Sequence, residues 1–94
     1  MVCVDPNTGT TRRFLTSPPN CEVTGVTMTP DGKTMFIGIQ HPGEEATAAN
    51  PTQFSGWPAT QWATAADGVT SLPAGRPRSS VVVITKDDGG LIGT

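Results

Sequence analysis

Between Cys21 and Glu45, the side chains Glu22, His41 and Glu44 are candidates for cation binding. Carboxylate oxygens suit hard ions such as calcium, and imidazole with carboxylate is also acceptable to ferric and other transition ions. Further along, Arg76 and Arg78 offer guanidinium forks that match phosphate oxygens bidentately. Acidic and basic groups on one rim are what metal-assisted phosphoryl chemistry requires. Glu45, Arg76 and Arg78 equally suit a solvated rim of mixed charge, and His41, ahead of Pro42-Gly43, equally suits a histidine satisfied by hydrogen bonds to its turn. Glu22 differs, because a carboxylate set between Cys21 and the strand-like Val23-Thr24-Gly25 is costly to bury without a cation or donors.

The elements that must position these groups read as strands. Thr29-Pro30-Asp31-Gly32-Lys33 has the chemistry of a tight turn: proline preset for the first corner, aspartate tolerated at the second, glycine for the left-handed position. The arms on either side, Glu22 to Thr29 and Thr34 to Gln40, form a hairpin, and counting outward from the turn brings Glu22 opposite Gln40 or His41. At about 3.3 Å per residue the turn stands some 20 Å or more from that end. Asp31 and Lys33 therefore read as turn former and solvated edge charge, outside any site at the Glu22 end.

Val2 to Val4 and Thr10 to Leu15 read as two further short strands around an Asp5-to-Gly9 turn. Ser79 to Thr85, with Val81-Val82-Val83-Ile84, is the strongest strand signal and, lacking alternation, predicts burial on both faces. Thr34 to Gln40 is nearly continuous too, and Leu91-Ile92 suits the start of a last edge strand. Gly25 and Gly38 leave each hairpin arm bare at one point, fitting close approach of a neighbouring sheet or a bound group. Residues 42–77 carry no strand or helix period, apart from one or two possible helical turns over Ala59 to Ala66. A loop of that length is uncommon unless functional or disordered. Its tryptophans, Trp57 and Trp62, suit packing over a neighbouring sheet or contact with a ligand.

The fold expected is all-β: an antiparallel meander of five strands, 2–4, 10–15, 22–29, 34–40 and 79–85, with one long irregular loop, as in a propeller blade or part of a sandwich. Successive strand ends then alternate between two rims. One rim collects Glu22, His41, Glu44, Glu45, Arg76 and Arg78; the other takes Asp31, Lys33, Lys86, Asp87 and Asp88.

Composition narrows the function classes. Leu, Ile, Val and Phe number only 18 of 94 residues, thin for a self-sufficient core, so residues 1–94 read as a single fragment whose strands pack on further chain. A net charge of −2, from 6 basic and 8 acidic residues, leaves no electrostatic footprint for nucleic acid or an anionic membrane surface. No apolar run approaches a membrane span, and Arg12-Arg13, followed by Phe14-Leu15-Thr16-Ser17-Pro18-Pro19, is no twin-arginine export signal. Cys3 and Cys21 allow one disulfide in an oxidising compartment or stand as free thiols, without the spacing of a zinc site. Period-two alternation places Cys21 and Glu22 on opposite faces, apart from any common metal. There is no GxSxG, GxxxxGK or HExxH, which argues against covalent serine catalysis.

Four motifs in this order, Cys21-Glu-Val-Thr-Gly25, Thr29-Pro-Asp-Gly32, Ile39-Gln-His-Pro-Gly-Glu44 and Arg76-Pro-Arg-Ser-Ser-Val-Val-Val-Ile84, resemble the C-terminal part of the PhoX-type bacterial alkaline phosphatases, over roughly Thr10 to Gly93. The resemblance implies a β-propeller phosphatase, exported to the periplasm or beyond, that hydrolyses phosphate monoesters with calcium and iron. It implies Glu22 as a metal-ligand carboxylate, His41 and Glu44 as supporting ligands or groups behind them, and Arg76 and Arg78 as substrate-binding. Cys3 and Cys21 do not match the family's iron-binding cysteine, which lies well upstream. The pattern departs at Asn20, where some members carry a phosphate-holding arginine. On this reading the partner of the chain is the remainder of the propeller, and these residues alone are inactive. The alternative from another class is a non-catalytic propeller module that binds a protein or surface polymer through the rim and the Trp57/Trp62 loop.

Overall fold

In a computed structural model, residues 1–59 and 75–94 are described. Five strands follow in order: β1 (Val2–Val4), β2 (Thr11–Arg13), β3 (Glu22–Met28), β4 (Thr34–Gln40) and β5 (Ser80–Thr85). They form two antiparallel sheets, a ribbon β1-β2 and a three-stranded sheet β3-β4-β5, with no helix among the described residues. The expected helical turns after Ala59, and Trp62, lie outside them.

The β1-β2 ribbon closes through an Asx turn: Asp5 Oδ1 accepts from the Asn7 amide at 2.8 Å, and the Gly9 amide donates to the Asp5 carbonyl at 2.8 Å. All six of its strand residues are exposed.

The second sheet is the scaffold of the site. Its hairpin turn has Gly32 at φ +68°, with the Gly32 amide donating to Thr29 O at 2.9 Å. Asp31 Oδ1 accepts from the Thr29 hydroxyl at 2.6 Å and from the Lys33 amide at 3.1 Å. These two bonds, the Thr29 hydroxyl first, hold the Asp31 carboxyl below its ordinary value of 3.8. From the turn the ladder runs Met28 to Met35, Thr27 to Phe36 and Val26 to Ile37, then slips by one residue to Thr24–Gly38 and ends with Glu22 opposite Gln40. The slip is a β-bulge at Gly25, whose φ of +51° suits glycine.

Among the described residues the two bare glycines have separate reasons. Gly25 supplies the bulge conformation and faces open space. Gly38 sits against the hairpin partner: a Cβ there would meet Thr24 Oγ1 at 2.7 Å and Thr24 O at 2.8 Å.

The centre of the core is β4, where Ile37 is fully buried and Ile39 is 3% exposed. Burial on both faces of β5 is not observed. Its residues alternate, with Val81 67% and Val83 58% exposed. The reason is position: β5 is an edge strand pairing only with β4, and no layer among the described residues covers its Val81/Val83 face. A groove of about 940 Å³ runs along β5, lined on its far side by Leu15, Pro18, Phe54 and Trp57. Leu91 and Ile92 do not form a sixth strand; they lie at a turn, with the Ile92 amide donating to Gly32 O at 2.9 Å. Cys3 and Cys21 are free thiols.

Candidate functional site

The hairpin delivers Glu22 and His41 to the same mouth. Glu22 begins β3, and His41 follows the last residue of β4, so the bulged register sets the two side chains across one sheet end. His41 Nε2 lies 3.8 Å from a Glu22 carboxylate oxygen, and its Nδ1 lies 3.2 Å from a Glu44 carboxylate oxygen. One imidazole is thereby flanked by two carboxylates. The ring is 35% exposed, against 65% for Glu22 and 62% for Glu44, so the carboxylates stay open to solvent while the ring is half sheltered. Nδ1 itself is buried and has no hydrogen-bond partner of proper geometry. The Glu44 carboxylate therefore stands close to Nδ1 without a hydrogen bond to it.

The turn that carries His41 and Glu44 is tied to two distant segments. The His41 amide donates to the Ser79 hydroxyl at 2.9 Å, just ahead of β5. The Gly43 and Glu44 amides donate to the carbonyls of Pro19 and Asn20, each at 3.0 Å, and the Asn20 side-chain amide donates to Glu44 O at 3.1 Å. Left-handed backbone at non-glycine residues occurs among the described residues at Asn20 (φ +50°), His41 (φ +37°) and Glu45 (φ +76°), all flanking this mouth. Such conformations cost free energy and persist where surrounding contacts over-determine them.

A recess of about 290 Å³ opens here, lined by Asn20, Cys21, Glu22, Glu44 and Glu45. Cys21, immediately ahead of β3, also lines this recess.

Exposed carboxylates beside a half-sheltered imidazole form a donor set of the right chemistry for a calcium or transition-metal site. By themselves they do not make one: among the described residues no group of three or more His, Cys, Asp and Glu is arranged to hold a metal ion. Arg76 and Arg78 are both exposed and form no ion pair among the described residues. The Arg78 amide donates to Trp57 O at 3.0 Å, which fixes this strand entry against the loop. Asn20 and Ser79 are the contributors that residue-type reasoning does not single out as organisers. The available signal is the asparagine, which tolerates left-handed backbone better than most residues.

Comparison with known proteins agrees with this architecture. The family described as Alkaline phosphatase PhoX matches residues 1–43. Among curated proteins nothing matches. A solved structure of Pseudomonas fluorescens PhoX, in complex with vanadate, a transition state analogue, superimposes with a TM-score of 0.72 at 46% sequence identity, over 98% of this chain and 13% of that one. The chain thus spans a small share of the length of the protein it resembles, and its antiparallel sheets correspond to a blade region of that propeller. The chain belongs to the PhoX family of alkaline phosphatases.

Proposed function

We propose that these residues form part of a secreted, metal-dependent phosphatase that hydrolyses phosphate monoesters. The observation that carries the reading is the convergence of Glu22, His41 and Glu44 on one open sheet end beside a recess. In it Glu22 is the metal-ligand carboxylate. His41 presents Nε2 to one Glu22 oxygen and so orients the carboxylate, while Glu44 braces the ring from its other nitrogen, the arrangement by which outer groups fix a metal ligand. A bound cation would polarise the phosphoryl group and activate the attacking oxygen. Arg76 and Arg78 would take the phosphate oxygens by paired N–H donation.

The ions proposed are calcium and iron, and completing their coordination requires ligands from outside these residues, because calcium takes about six to eight oxygens. These 94 residues alone are accordingly inactive. The rest of the propeller chain is the partner proposed for the Val81/Val83 face and the groove along β5, since exposed apolar surface of this kind marks a contact surface. Export to the periplasm or beyond accords with this reading. Hydrolysis of p-nitrophenyl phosphate by the full-length protein, before and after chelation with EGTA, tests it. Turnover should fall on chelation and return with calcium; turnover indifferent to chelation and to Glu22→Gln overturns the assignment.

A further inference from the structure

From the bonding of the 41–45 turn we infer that Asn20 is a positioning residue, a clamp that holds Glu44 against His41. The inference rests on the metal-site reading above and adds to it a residue with no ligating role of its own.

Asn20 addresses both backbone groups of Glu44. Its carbonyl accepts from the Glu44 amide at 3.0 Å, and its side-chain Nδ2 donates to the Glu44 carbonyl at 3.1 Å. Pro19 O adds a third bond, from the Gly43 amide, at 3.0 Å. Within the turn the Glu44 amide also bonds to His41 O at 3.1 Å, so the peptide that Asn20 grips is the one closing the turn over the imidazole. The grip requires Asn20 at φ +50°, an unfavourable backbone for most residues. Two further constraints aim the neighbouring residues: His41 is held by Ser79, and Glu45, at φ +76°, turns the chain away so that Glu44 projects toward Nδ1. Asn20 and Glu44 are also both walls of the recess beside Glu22. Without the side-chain bond the Glu44 carbonyl loses that partner and the turn is held by its backbone bonds alone, so the Glu44 carboxylate is less firmly kept beside Nδ1 and the brace on the ring slackens.

Asn20→Gly separates positioning from plain structural support, because only a clamp predicts a loss of calcium affinity with no loss of stability. Glycine favours the left-handed backbone, so a residue serving only the turn would be replaced neutrally or with a gain in thermal stability. A clamp would lose its Nδ2 donor whatever the stability does. The experiment compares wild type, Asn20→Gly, Asn20→Asp and Glu22→Gln in the full-length protein, reading calcium affinity, thermal midpoint and hydrogen exchange of the peptide spanning 41–45. The expected result for Asn20→Gly is calcium affinity about tenfold weaker, a size usual for loss of a group behind a metal ligand. It should come with an unchanged or raised midpoint and faster exchange at Gly43 and Glu44. Asn20→Asp, which keeps the backbone preference but points an acceptor at the Glu44 carbonyl, should weaken binding at least as much.

If Glu22→Gln abolishes calcium binding while Asn20→Gly leaves both affinity and exchange at wild-type values, the clamp is overturned and the metal site stands. If Glu22→Gln leaves calcium binding intact, the metal-site reading fails. Exchange at 43–44 then decides the clamp alone, unaltered exchange in Asn20→Gly overturning it and faster exchange upholding it.

Discussion

His41 Nε2 and Glu22 Oε2 stand 3.8 Å apart at the open end of the β3-β4 hairpin, the end remote from its Pro30-Asp31-Gly32 turn. The bulge decides how they meet. With unbroken pairing from the turn, Glu22 would face His41 across the ladder; the extra residue at Gly25 pairs it with Gln40 and leaves His41 beyond the last rung, free to turn back over the carboxylate.

The bulge should therefore be sensitive to its two glycines for different reasons. In Gly38→Ala the new methyl meets Thr24 backbone and hydroxyl under 3 Å, contacts a rigid ladder cannot relieve, and the cost should be about 1–3 kcal/mol. Gly25→Ala has room but must hold φ +51°, at about 1–2 kcal/mol. Thermal unfolding of both variants in the full-length protein checks this; a neutral Gly38→Ala would contradict the close approach.

Strong acid should loosen the turn end of the hairpin through Asp31. The Asp31 carboxyl titrates below 3.8 in the folded chain because the Thr29 hydroxyl and the Lys33 amide favour its ionised form. A folded value below the unfolded one means that its stabilisation is fully present above the ordinary carboxylate range and is lost as pH falls through the folded value. NMR titration of the side-chain carbonyl should give a midpoint under 3.8, moving back toward it in Thr29→Val. A wild-type midpoint at or above 3.8 would count against the turn bonding.

Val81 and Val83 test the proposed partner. In the full-length protein a neighbouring layer should bury them, so Val81→Ser with Val83→Ser should destabilise by about 1.5–3 kcal/mol per site. The same pair in the 94-residue chain should cost little and raise its solubility. Equal, negligible effects in both contexts would mean that the face remains open.

Much of the scaffold was legible in the residue pattern. The Thr29-Pro30-Asp31-Gly32 turn pointed to the hairpin, and the pairing of Glu22 with Gln40 was one of two registers that counting allowed. The choice between them turned on a single left-handed glycine, which a period-two pattern does not register. The two-sided burial suggested by the uninterrupted Val-Val-Val-Ile run is not met within these residues, because such a run reports what a strand can bury, whereas the described residues supply a partner on one edge only. That Glu22, His41 and Glu44 share one end of the sheet was legible from the hairpin count. The bonds that tie them to Asn20 and Ser79 were not, since they join residues distant in sequence through backbone groups that every residue carries.

The central claim, that Glu22 ligates a metal with His41 behind it, is tested most directly by a crystal structure of the full-length protein grown with calcium, using anomalous scattering to place the ions. The account predicts a cation about 2.3–2.6 Å from a Glu22 carboxylate oxygen, with His41 Nε2 on the other oxygen. A filled metal cluster with Glu22 turned into solvent, or Glu22 bound to protein donors alone, would contradict it.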